Sequence, residues 1–234
     1  MEFDEWEPVY EAILDDFGYD RAGDERGRDL LASLLERSFD PAELSIIRDA
    51  TVAVAGAGPS LETEQALERA RAADAVVAAS TAVDTLASHG IAVDCMVTDL
   101  DKNPDTVVDL TERGVPVAVH AHGDNLDAIR AVVPNCDAAY VIPTTQAAPR
   151  GFVRNYGGFT DGDRAAFLAD HVGAARLTFV GWDFDDPTVD AAKARKLEWA
   201  ERLLVWLESR RGERFAVLDG RREEIDTDAI PISE

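Results

Sequence analysis

Between Thr51 and Val180 short apolar runs, rich in β-branched residues and alanine, alternate with segments of helical periodicity, and this alternation constrains the fold more than any other feature. The runs are Thr51 to Ala55, Ala75 to Ala79, Ile91 to Thr98, Val115 to His120, Ala138 to Ile142 and Arg176 to Val180, with a last strand expected over Phe215 to Leu218. Helices are expected after Ser60, over Val83 to Ser88, Pro104 to Arg113, Leu126 to Val133 and Ala165 to Val172, and from Thr188 to about Arg210. Runs this apolar need cover on both faces. They predict an α/β domain over residues 51–220 with a mostly parallel sheet and helices on both faces. Residues 1–50 show helical patterning without strands and read as an N-terminal helical cap, a packing layer without chemistry. Residues 221–234 read as an acidic tail, an edge or disordered segment.

In such a sheet, ligands bind at the carboxyl ends of the strands, so the residues just after each run carry the functional signal. The run from Ile91 stops at Asp99 and Asp101, two hard oxygen donors suited to Mg²⁺ and, through it, to phosphate. With 28 Asp in the chain, chance supplies about three Asp-x-Asp pairs, so the pair means little by itself and its position means more. After Ala55 comes Gly56-Ala57-Gly58-Pro59-Ser60, where Gly56, Gly58, Pro59 and Ser60 predict either a phosphate cradle at a helix start or simply a tight turn. The fourth run ends His120-Ala121-His122-Gly123-Asp124, in which Asp124 is the favoured metal ligand. The two histidines are either metal or phosphate ligands or structural hydrogen-bonded side chains.

Farther along, Arg150 and Arg154 are either phosphate contacts or partners of nearby carboxylates. In Thr160-Asp161-Gly162-Asp163-Arg164, Thr160 or Asp161 is expected to cap a helix, and capping does not require both aspartates. Gly181-Trp182-Asp183-Phe184 puts another carboxylate, flanked by aromatics, on a strand end.

Composition narrows the setting. The chain has a net charge of −23, with 46 acidic residues against 20 Arg and 3 Lys, an acidic and lysine-poor balance expected of a halophilic protein. No basic patch favours nucleic acid, and no apolar run is long enough to cross a membrane, so the expectation is a cytoplasmic protein. Cys95 and Cys136 read as reduced thiols. The sequence is compatible with a homo-oligomer.

As a set, GAGPSL, TDLD, HAHGDN, GGFTDGDRA and GWDF resemble the archaeal 6-hydroxymethyl-7,8-dihydropterin diphosphokinase family over residues of about 50 to 200. That family is distantly similar to thiamine pyrophosphokinases, whose Asp-x-Asp and Thr-Asp motifs match Asp99, Asp101, Thr160 and Asp161, with Arg164 in place of a lysine. The resemblance implies a Rossmann-like fold like that of the thiamine pyrophosphokinase catalytic domain. It also implies transfer of diphosphate from ATP to the pterin hydroxymethyl group in tetrahydrofolate or tetrahydromethanopterin synthesis, with Mg²⁺ as cofactor. On that reading Asp99, Asp101, Asp161 and Asp163 are catalytic, Arg164 joins Arg150 and Arg154 on phosphate, and Trp182 and Asp183 hold the pterin unless the aromatics are core. Rival readings are a nucleotide-sugar-dependent glycosyltransferase and a non-enzymatic nucleotide-binding module.

Overall fold

Successive side chains of a strand point to opposite faces, and here both faces are apolar. In the computed structural model, which describes residues 1–230, β1 (Thr51–Ala55) sends Val52 and Val54 into one core and Ala53 and Ala55 into the other. β2 (Ala75–Ala79) and β3 (Cys95–Thr98) divide in the same way, as do β4 (Val117–Ala121) and β5 (Val141–Thr145). With β6 (Arg176–Val180) these strands form a parallel sheet of order β5-β4-β3-β2-β1-β6.

One face is covered by α3 (Glu64–Ala72), α4 (Ala82–Ser88), α5 (Pro104–Glu112) and α6 (Leu126–Val132). The other carries α1 (Phe3–Phe17), α7 (Asp161–Val172) and α8 (Ala191–Arg211), whose buried Trp6, Trp199 and Trp206 make up much of its core. Each indole removed from water contributes roughly 2–3 kcal/mol. α2 (Arg21–Leu34) packs against the carboxyl end of β4 and against β5.

Several boundaries depart from the sequence reading. Phe215 to Leu218 is no strand but leads into a 3₁₀ turn (Ala216–Leu218), and its apolar pattern arises because Phe215 and Leu218 are buried beside α8 and β6. Residues 138–140 form another 3₁₀ turn, so β5 starts at Val141, while β3 starts at Cys95 rather than Ile91. The tail turns back instead of lying at an edge, with Ile230 buried against the core; residues 231–234 lie outside the described residues.

The N-terminal helices are more than cover. A Cβ on Gly27 would lie 2.7 Å from the His122 carbonyl oxygen, so only glycine lets α2 sit directly on the loop after β4. The buried Asp24 then locks the arrangement. Its carboxylate accepts from the Tyr10 hydroxyl, the Gln146 side-chain amide and the Gly123 backbone N–H, each at 2.8 Å, joining α1, α2 and the loops after β4 and β5.

Candidate functional site

Strand order reverses at β1, with β2 on one side and β6 on the other, and connections diverging from such a point leave a crevice at the carboxyl edge. The crevice is a cavity of about 640 Å³, a size that accepts nucleotide-sized ligands. Its lining includes Gly56, Gly58, Asp99, Asp101, His122, Asp124, Asp161, Arg164, Trp182 and Asp183, bringing together ten of the residues singled out in the sequence.

Between the two aspartates after β3, Leu100 adopts a left-handed backbone (φ 70°) and buries its side chain, leaving Asp99 and Asp101 on the cavity wall. A bulky residue in that region stores about 1–3 kcal/mol of strain, a cost characteristic of functional loops. Asn125 secures the turn, donating at 2.7 Å to the backbone oxygens of Asp99 and His120 and accepting from the His122 N–H at 3.0 Å. The third carboxylate, Asp161, opens α7 and faces its own Arg164 at 3.2 Å. Burial opposes the charge on Asp99, but His122 3.6 Å away, the neighbouring Asp101 and the Arg164 guanidinium hold its carboxyl well below the usual range. Asp101 is pushed up by burial and by Asp99, and Asp161 is pushed up to about 7 by burial and the Asp99 charge.

Other expected residues are engaged elsewhere. Asp163 is fully buried and completes a capping box, accepting from the Phe159 and Thr160 N–H groups and, at 2.6 Å, from the Thr160 hydroxyl, so it does not face the cavity. His120 points from β4 toward α7 and contacts the Thr144 hydroxyl at 3.1 Å, and burial lowers its pKa well below the usual value. With His120 turned away, the five-residue metal set read from the sequence does not converge. Among the described residues no three His, Cys, Asp or Glu side chains form a ready-made metal cluster. Arg150 pairs with Asp29 at 2.8 Å and Arg154 bridges to Thr144, both outside the cavity.

The glycine turn also differs from the expected cradle. The N–H groups of Gly56 and Gly58 donate to the backbone oxygens of Val180 and Gly181, both at 2.9 Å, and Pro59 has none. Ser60 N–H donates to Asp183 Oδ2 at 2.9 Å, so a carboxylate already lies where the anion was expected. Trp182 is wedged beside it, donating from Nε1 to the Val54 oxygen at 3.0 Å and meeting Phe179 edge-on, with part of its ring on the cavity.

The sequence reading missed the contribution of α2, from which Gly23, Asp24 and Arg26 line the cavity with the preceding Tyr19 and Asp20. It also missed Lys102, Lys193 and Lys196, all three on the cavity wall, although their rarity in the composition was a signal.

A family model described as "6-hydroxymethylpterin diphosphokinase MptE-like" matches residues 29–188, more than half of the chain and nearly all of the site-bearing loops. The chain belongs to this MptE-like family. Relatives named 6-hydroxymethyl-7,8-dihydropterin pyrophosphokinase agree. That of Methanothermobacter thermautotrophicus is 39% identical over 89% of this chain and 96% of its own length. The Pyrococcus furiosus relative is 38% identical over 89% and 95%, and the Methanocaldococcus jannaschii relative 32% over 90% and 97%. The MptE-like match starts inside α2, beyond Asp24, although Asp24 is part of the cavity wall.

Proposed function

We propose that this chain transfers diphosphate from ATP to the hydroxymethyl group of 6-hydroxymethyl-7,8-dihydropterin and releases AMP, in the synthesis of a reduced pterin cofactor. The observation that carries the reading is that Asp99 and Asp101, from the loop after β3, and Asp161, from the start of α7, line one cavity at the sheet's carboxyl edge in a chain of the MptE-like family. The family assignment also favours phosphoryl transfer over the sugar-nucleotide reading.

In this reaction the pterin hydroxyl oxygen attacks the β-phosphorus of ATP, the bond between that phosphorus and the α,β-bridging oxygen breaks, and AMP departs. Asp161, fixed against Arg164 at the start of α7, orients the hydroxyl and takes its proton. Asp99 and Asp101 fit Mg²⁺, which is usually held by one or two carboxylates with phosphate oxygens and waters completing its shell, so an all-protein cluster is not required. Bound there, the ion would neutralise charge building on the transferring group. Trp182 offers a partial aromatic face, and the Asp183 oxygen not engaged by Ser60 suits the amino and ring N–H donors of the pterin edge.

The test is AMP release from ATP and hydroxymethyldihydropterin with and without Mg²⁺. Release that does not depend on the pterin would remove the proposal.

A further inference from the structure

The chain's basic residues divide sharply by type. Sixteen of the 20 arginines lie within 4.0 Å of a carboxylate. Among the described residues, none of the three lysine ammonium groups makes an ion pair or a hydrogen bond, and all three line the same cavity. Lys196 lies over the Phe159 ring, 6.0 Å from its centre. In a chain with 46 acidic residues, three lysines on one wall, none within ion-pair distance of a carboxylate among the described residues, stand apart from the arginines.

Lys102 follows Asp101, while Lys193 and Lys196 are three residues apart and share a face of the first turns of α8. Protein atoms around the Lys193 ammonium, together with the charges of Lys102 and Lys196, lower its pKa below the usual lysine value, and the nearby Asp161 offsets this only in part. The Gly56, Gly58 and Ser60 amides of the glycine turn are engaged within the protein and offer no rival anion site.

We propose that Lys102, Lys193 and Lys196 form a receptor for the polyphosphate tail of the nucleoside triphosphate. The inference rests on the diphosphate-transfer reading and adds where the phosphates lie. Lysine acts on phosphate as a point charge, and three such charges beside Asp99, Asp101 and Asp161 set the tail along the metal-binding carboxylates. The heterocycles are left to the rest of the cavity.

Binding of sodium tripolyphosphate, ATP and AMP in the presence of Mg²⁺ tests this by calorimetry on the wild-type chain and on the triple variant Lys102→Gln, Lys193→Gln, Lys196→Gln. The triple variant should lose tripolyphosphate and ATP affinity by well over tenfold while AMP binding changes little, because each charge-assisted bond is worth roughly tenfold. Lys102→Gln and Lys196→Gln alone should raise the ATP Kd several-fold without altering the pterin KM, and the Arg replacements should restore part of the loss. These single variants keep the test valid if the triple variant does not fold. Equal tripolyphosphate affinity in wild type and variants, or wild-type AMP binding as tight as ATP binding, overturns the receptor. Lysine-dependent tripolyphosphate binding without pterin-dependent AMP release supports the receptor and removes the pterin reading alone.

Discussion

Asp183 accepts the backbone N–H of Ser60 at 2.9 Å, so the carboxylate after β6 caps the turn after β1 across the point where strand order reverses. One oxygen holds the turn and the other is available to a ligand. Asp183→Asn keeps an acceptor for Ser60 but removes the charge. It should melt within a few degrees of wild type and raise the pterin KM about tenfold or more, since a charge-assisted hydrogen bond is lost. An unchanged pterin KM would confine Asp183 to its capping role.

Asp99→Asn and Asp101→Asn should fold normally, because each removes one negative charge from a chain of net −23 with little change in shape. Pterin-dependent AMP release should fall about a thousandfold, corresponding to roughly 4 kcal/mol of lost transition-state stabilisation. The comparison is a Mg²⁺ titration of turnover beside thermal melts. Near wild-type turnover at low Mg²⁺ would refute the metal role.

Asp161 and Asp163 should separate cleanly. Asp163→Ala strips a buried capping box and should cost about 1–3 kcal/mol of stability. Asp161→Asn should leave the melt nearly unchanged and abolish most turnover. If Asp161→Asn instead lost stability and kept its activity, the assigned roles would be reversed.

Gly27→Ala would put a methyl group 2.7 Å from the His122 carbonyl oxygen. The helix must shift or the loop after β4 must yield, at a cost of about 1–3 kcal/mol. Turnover should fall together with the melting temperature, because α2 also carries the Asp24 clamp. A variant as active and stable as wild type would show that α2 is not seated on the loop in this way.

The lysine-poor, acidic composition predicts a folding transition that strengthens with salt. Thermal melts in increasing KCl should climb steeply into the molar range, as screening relieves the self-repulsion of the −23 charge. Full stability at low ionic strength would count against a halophilic protein.

The sheet was legible because a parallel strand covered on both faces leaves an unbroken apolar run such as Val52 to Ala55, and its end marks the ligand edge. Asp99 and Asp101 could be found by that rule, whereas Asp161, at the start of α7, was reached through the family resemblance. Phe215 to Leu218 misled because burial against α8 produces the same local pattern without a strand partner. Long-range relationships were hidden. Gly23 lies within α2 beside Gly123, where an added Cβ would come 3.2 Å from the Gly123 Cα, a proximity 100 positions apart that no local pattern announces. Asp183 gave no sign that it would reach Ser60, 123 positions away. The lysines were conspicuous by their scarcity, but only the fold places them on one wall.

The Asp24 clamp sets a lower limit on how far this protein can be trimmed. A chain cut to the family-matched start at residue 29 would lose Tyr10 and Asp24 together, leaving the buried Gln146 amide and the Gly123 N–H without their shared acceptor. Each such orphaned group costs about 1–3 kcal/mol, and the loop carrying His122 and Asp124 would lose its seat. The sheet has its own two cores, but the pocket is only as whole as the first helices, so the smallest unit that could catalyse is larger than the segment by which its kinship is recognised.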